Sequence, residues 1–154
     1  MLRVGSPAPA FEARLHSGDL FRLVDLRGKN RLVLYFYPRD FTYGCTKEAC
    51  SFRDQHDEIA RLGAVVIGVS GDSAERHLEF VRTHRLRFPL ISDTDLSLAR
   101  TYDVVSSLPL HVRRVTYVID TSGVIRGVFH HELFFSNHWK RTVELLQSLN
   151  RTSA

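Results

Sequence analysis

The stretch Tyr37-Pro38-Arg39-Asp40-Phe41-Thr42-Tyr43-Gly44-Cys45-Thr46-Lys47-Glu48-Ala49-Cys50 holds both cysteines of the 154-residue chain, and the rest of the sequence is read outward from it. Just before it, Arg31-Leu32-Val33-Leu34-Tyr35-Phe36-Tyr37 is short, apolar and carries aromatic and β-branched side chains, so it predicts a buried strand that ends at Pro38. Thr42 is placed to cap a helix, because a hydroxyl three residues ahead of Cys45 reaches the third helical N–H. Cys45 then falls in the first helical turn. Free N–H groups and the positive end of the helix dipole favour the thiolate there, and the thiolate is the nucleophilic form of cysteine.

The helix is expected to run from about Thr42 to Leu62 and to stop at Gly63. Cys45, Ala49, Phe52, His56 and Ile59 recur at spacings of four and three, which keeps them on one apolar face. Cys50, five residues after Cys45, is rotated by about 140° and lies off that stripe. His56 shares a helix with both cysteines, but zinc needs four converging ligands, or three and a water, and these positions do not share a face. No metal site is therefore expected.

Pro38, Thr42 and Cys45, taken together, follow the spacing Pro-x-x-x-Thr-x-x-Cys, which resembles the active-site motif of the peroxiredoxins, thiol enzymes that attack the O–O bond of hydroperoxides. The extension Gly44-Cys45-Thr46-Lys47-Glu48-Ala49-Cys50 is similar to the bacterioferritin-comigratory or Q-type branch, although Tyr43 stands where many members have proline. The resemblance runs from Val4 to the closing helix. It implies an α/β, thioredoxin-like fold, in which a central mixed β-sheet is flanked by helices and preceded by an N-terminal β-hairpin.

It also implies roles. Cys45 is the expected peroxidatic nucleophile and Cys50 the resolving thiol, forming an intramolecular disulfide that thioredoxin or a similar dithiol reductant reopens. The Thr42 hydroxyl and the backbone N–H groups of Gly44 and Cys45 suit a peroxide-binding donor set, and Pro38 suits a shield that adds no competing N–H. Of the neighbours Arg113 and Arg114, which point to opposite faces of a strand, likeness to the family's arginine-aliphatic-hydroxyl-aromatic segment selects Arg114 as the activating cation. No cofactor is implied.

Length and composition bound the remainder. A chain of 154 residues with 44% hydrophobic content fits one domain, 1–154, with a substantial core. The net charge of +4 arises from scattered arginines, densest around His77, Arg82, His84, Arg85 and Arg87, and is read as solvated surface without nucleic-acid binding. Two cysteines in a chain this long are no secreted disulfide framework. With neither a signal-peptide core nor a membrane-length apolar run, a cytoplasmic protein is expected, and a monomer, since both thiols share one helix.

Along the chain, Phe11 to Leu15 and Leu20 to Leu23 predict a hairpin around His16-Ser17-Gly18-Asp19. Ala64 to Ser70 reads as a second buried strand, followed by a helix capped at Asp72 or Ser73 and reaching His84, which makes a parallel crossover. A short strand at Phe88 to Ser92, a helix from Asp95 to Tyr102 and a loop from Val104 to His111 come next. Arg114 to Asp120 and Val124 to His130 predict a second hairpin. Ser136 is expected to cap a closing helix with Trp139, Val143, Leu146 and Leu149 on one face. Two other functions fit the same residues, a disulfide oxidoreductase and a non-turnover thiol sensor. The first would be expected to carry Cys-x-x-Cys, and only sustained turnover separates the second.

Overall fold

The computed structural model describes residues 1–107, 109–130 and 136–152, apart from the side chains of 136 and 137. An amino-terminal arm leads into the expected hairpin, β1 (Glu12–Arg14) antiparallel to β2 (Leu20–Arg22). After a 3-10 turn at Leu23–Leu26, the apolar run before Pro38 forms β3 (Arg31–Phe36). The next two elements are helices, α1 (Tyr43–Asp54) and α2 (His56–Arg61), and they correct the single helix expected from Thr42 to Leu62. The chain breaks at Gln55 (φ −95°, ψ 6°) between Phe52 and Ile59, both buried in the same core, while Arg53 is held by the His84 carbonyl at 2.7 Å. Tertiary anchors on either side, with no Gly or Pro between them, set this kink.

Gly63 (φ 77°) ends α2 in the left-handed conformation and delivers the chain to β4 (Ala64–Ser70). Helix α3 (Ala74–His84), capped by the Ser73 hydroxyl on the Arg76 N–H, crosses to β5 (Leu90–Ser92). Helix α4 is only Ser97–Thr101, its first turn closed by the Asp93 carboxylate, which accepts from Leu98 and Ala99 at 3.0 and 2.8 Å. The expected loop at 104–111 is instead a small antiparallel pair, β6 (Val105–Ser107) and β7 (Leu110–Val112). The weak strand formers Ser106 and Ser107 hid it, and Pro109 sits outside both strands, where a missing N–H costs nothing. The second hairpin is β8 (Val115–Ile119) with β9 (Ile125–His130), and α5 (Ser136–Thr152) closes the chain. Ser136 is the first helical residue there, and the position before it lies outside the described residues.

The main sheet has the order β5-β4-β3-β8-β9, parallel from β5 to β3 and antiparallel beyond. Alternation along β3 divides the interior in two. Leu32, Leu34 and Phe36 join Ile67, Leu98 and Tyr102 on the face covered by the amino-terminal segment and α4. Val33, Tyr35 and Tyr37 join Cys45, Phe52, Ile59, Phe80 and Leu146 on the face covered by the other helices. The expected closing face is formed, with Leu146 buried and Trp139, Val143 and Leu149 packed beside it.

Candidate active site

Strand β3 runs out into the buried Tyr37, and the loop that follows is held from below. Asp40 is fully buried: its carboxylate accepts from the Tyr37 hydroxyl at 2.5 Å and lies 2.6 Å from His77 Nδ1, while its N–H donates to Asp72 at 2.8 Å. His77 Nε2 lies 3.0 Å from the Ile91 carbonyl, so this brace ties the loop to α3 and β5 at once. His77 is thus no part of a basic surface, which corrects its placement among the solvated residues. Asp40, Asp72 and His77 offer metal-type ligand atoms within 4.8 Å of one another, yet Asp72 is also taken by Ser70 and Arg76, so the donor atoms are engaged in hydrogen bonds and ion pairs. Phe41 adopts a φ of 65°, a strained value for a bulky residue, and is kept there by its edge contact with Phe80 at 5.0 Å.

Thr42 occupies the cap position with extended backbone (φ −76°, ψ 155°), as expected. Its hydroxyl, however, donates to the Arg39 carbonyl at 3.1 Å instead of accepting a helical N–H. The first backbone bond of the helix runs from Thr46 N–H to the Thr42 carbonyl, so helix geometry leaves the N–H groups of Gly44 and Cys45 without an intrahelical acceptor. Cys45 is 1% exposed; Cys50 is half-buried, and both are free thiols on an unbroken helix. Pro38 is exposed at the end of β3.

Arg114 is brought to Cys45 as the resemblance implied. It is buried, and its Nη2 donates to Cys45 Sγ at 3.4 Å while Nη1 donates to Glu48 Oε1 at 3.3 Å. Burial opposes the guanidinium charge, but Glu48 and Cys45 outweigh it and hold Arg114 more firmly protonated than usual. Tyr35, on the same face of the sheet, is pushed well above the ordinary tyrosine range by burial and then by Glu48 and Cys45, so it remains a neutral phenol. Arg113, next in the chain, is only half-buried.

Two residues of this cluster had been assigned no role. Glu48 is 1% exposed on the face of α1 that carries Cys45, Ala49 and Phe52. A carboxylate three residues after Cys45 on a buried face was the available signal, since such a group needs a cationic partner. His138 of α5, fully buried, lies 3.3 Å from Glu48 Oε2 and 2.7 Å from Thr116 Oγ1. Ninety positions separate it from Glu48, and no local pattern announces the meeting.

A buried cysteine in a first helical turn, with an arginine donating to its sulfur, is an arrangement for thiolate chemistry. Comparison with known proteins agrees. Residues 4–128 match the AhpC/TSA family. The chain is 39% identical over 149 residues to a chloroplastic peroxiredoxin Q of Sedum lineare, covering 94% of this chain and 78% of the relative. Peroxidoxin BcpB from Mycobacterium tuberculosis superposes with a TM-score of 0.91 at 32% identity, over 97% of this chain and 99% of that one. The bacterioferritin comigratory protein of Xanthomonas campestris, whose structures address alkyl peroxide reduction through a trapped intermediate, gives 0.84 at 28% identity, over 90% and 91% of the two chains. The chain belongs to the AhpC/TSA family, in its branch of peroxiredoxin Q and bacterioferritin comigratory proteins.

Proposed function

We propose that this peroxiredoxin, a thiol-dependent peroxidase, uses Cys45 as its nucleophile, and the observation that carries the assignment is the Arg114 guanidinium donating to the Cys45 sulfur at 3.4 Å. The thiolate attacks the terminal oxygen of a hydroperoxide. An S–O bond forms as the O–O bond breaks, and the electron pair leaves on the distal fragment, which takes up a proton to depart as alcohol or water. Arg114 and the N–H groups of Gly44 and Cys45 are the donors nearest that charge, and the Thr42 hydroxyl joins them by turning from the Arg39 carbonyl. Pro38 borders the site without offering an N–H.

Cys50 then attacks the sulfenic sulfur, an S–S bond replaces the S–O bond, and water is released. A dithiol reductant, thioredoxin in our reading, returns both thiols by two exchanges. Free thiols at the end of each cycle suit a reducing compartment, the cytoplasm, and both cysteines on one helix suit a monomer. The test is peroxide consumption with a thioredoxin system, paired with intact mass of the oxidised protein. Cys45→Ser abolishes peroxide reduction, whereas Cys50→Ser keeps the first oxidation and stalls recycling. A normal first turnover in Cys45→Ser would sink the assignment.

A further inference from the structure

The groups around Cys45 form a chain of contacts that begins 24 residues beyond Arg114, on the closing helix. His138 Nδ1 is 3.3 Å from Glu48 Oε2, Glu48 Oε1 receives Arg114 Nη1 at 3.3 Å, and Arg114 Nη2 reaches Cys45 Sγ at 3.4 Å. Every side chain in it is at most 7% exposed, so charges here act with little screening. In the reactive state two of these groups, Cys45 and Glu48, are anions that compete for one guanidinium. Any share of the Glu48 charge that is met from its other oxygen frees Arg114 for the sulfur.

We infer that His138 is a positioning residue for peroxide reduction, whose ring, as the imidazolium, sets its charge 3.3 Å from the far oxygen of Glu48 and so keeps the Arg114 guanidinium on the Cys45 thiolate. Thr116 Oγ1, 2.7 Å from the same ring nitrogen, fixes the imidazole against β8, the strand whose approach carries Arg114. Among the described residues, the titratable and charged groups facing this cluster are Glu48 and Cys45 from α1, Arg114 ahead of β8 and Tyr35 from β3, and the last is neutral. The His138 ring therefore acts through the carboxylate and touches no reacting atom.

The inference rests on Cys45 as the nucleophile, and the experiment separates the two. In a Cys50→Ser background Cys45 is the sole thiol; its oxidation by hydrogen peroxide is followed by stopped flow, and its alkylation by iodoacetamide is followed against pH. His138→Ala should slow oxidation at pH 7 roughly tenfold, through both thiolate population and guanidinium position, and move the midpoint of the alkylation curve upward by about one pH unit, a tenfold change in the acid dissociation constant. His138→Asn, which keeps a polar nitrogen near the Nδ1 position for Thr116 but carries no charge, should restore neither the rate nor the midpoint. If the alanine variant does not fold, His138→Phe keeps the ring volume, drops both nitrogens and carries the same expectation.

A merely structural role is distinguished in Glu48→Gln, where the carboxylate charge is gone. There, replacement of His138 should leave the alkylation midpoint unmoved. A folded His138→Ala or His138→Phe protein with the parent's midpoint and oxidation rate overturns the inference, as does an equal shift in the Glu48→Gln background. Slow oxidation and slow alkylation of the parent itself would instead count against Cys45.

Discussion

Arg113 and Arg114 are adjacent in sequence and opposite in fate. Arg114 is 6% exposed and donates to Cys45 and Glu48, whereas Arg113 is half-buried and its N–H serves the Val104 carbonyl at 2.7 Å. Arg114→Ala removes a charge-assisted donor to the sulfur and leaves Glu48 buried beside it, so the first oxidation should slow by about 100-fold or more. Arg113→Ala should change that rate less than about threefold. Stopped-flow oxidation of both variants checks the pair, and equal losses would remove Arg114 from the site. At this scale the cysteine, the threonine position and the arginine were legible because spacing and family likeness mark them. Glu48 and His77 were not, although each left a trace: both fall three residues from a buried neighbour on a helix, Cys45 and Phe80, where a polar side chain requires a partner. Helix periodicity locates such residues, but the identity of the partner, Asp40 for His77, depends on how the loop folds back.

Elements were legible where a local signal fixes both ends. The turn between β8 and β9 is an example: Asp120 accepts the N–H groups of Ser122 and Val124 at 2.9 and 3.0 Å and the Arg126 Nε at 2.6 Å. Burial pushes its carboxyl up, but these hydrogen bonds and the Arg126 charge outweigh burial and hold it below the ordinary aspartate range. A lowered folded-state value means that the ionised form stabilises the fold. That contribution is complete above the unfolded value of about 3.9 and fades as pH falls through the folded one. Asp120→Asn should therefore cost about 1 kcal/mol at neutral pH, a loss that shrinks in acid below about pH 3.9. Urea unfolding of the two proteins at several pH values measures it, and a pH-independent difference would refute the carboxylate's role. The kink at Gln55 and the pair β6–β7 were illegible for the opposite reason. Each is imposed from outside, by Phe52 and Ile59 entering one core and by Val105 meeting Val112 across a turn.

For the whole molecule, the division of the interior into two cores decides how far an event at Cys45 spreads. Residues five apart on a regular helix have Cα atoms about 8.6 Å apart, from ~1.5 Å rise per residue and a ~2.3 Å radius, beyond the ~7 Å limit for a disulfide. Cys45 and Cys50 lie on one helix that is regular through both, so their pairing requires α1 to unwind. Unwinding has a natural start at Phe41, whose left-handed backbone relaxes when the first turn opens, and a natural stop at Phe52, stacked on Tyr35 with ring centroids 4.9 Å apart. Cys45 and Ala49 then leave the core they share with Tyr35 and Leu146, while the core on the opposite face of the sheet, built on Leu32, Leu34 and Phe36, loses nothing. The brace at Asp40 and His77 sits ahead of the hinge and keeps β3, α3 and β5 together. Oxidation should therefore raise amide hydrogen exchange across 42–52 by about 100-fold, leave β4 at 64–69 unchanged, and lower the melting temperature by a few degrees. Exchange measured by mass spectrometry on reduced and oxidised protein tests this. Protection retained across 42–52 in a protein with a Cys45–Cys50 disulfide would show that the bond forms on an intact helix, and loss of protection in β4 would show that the two cores do not open independently.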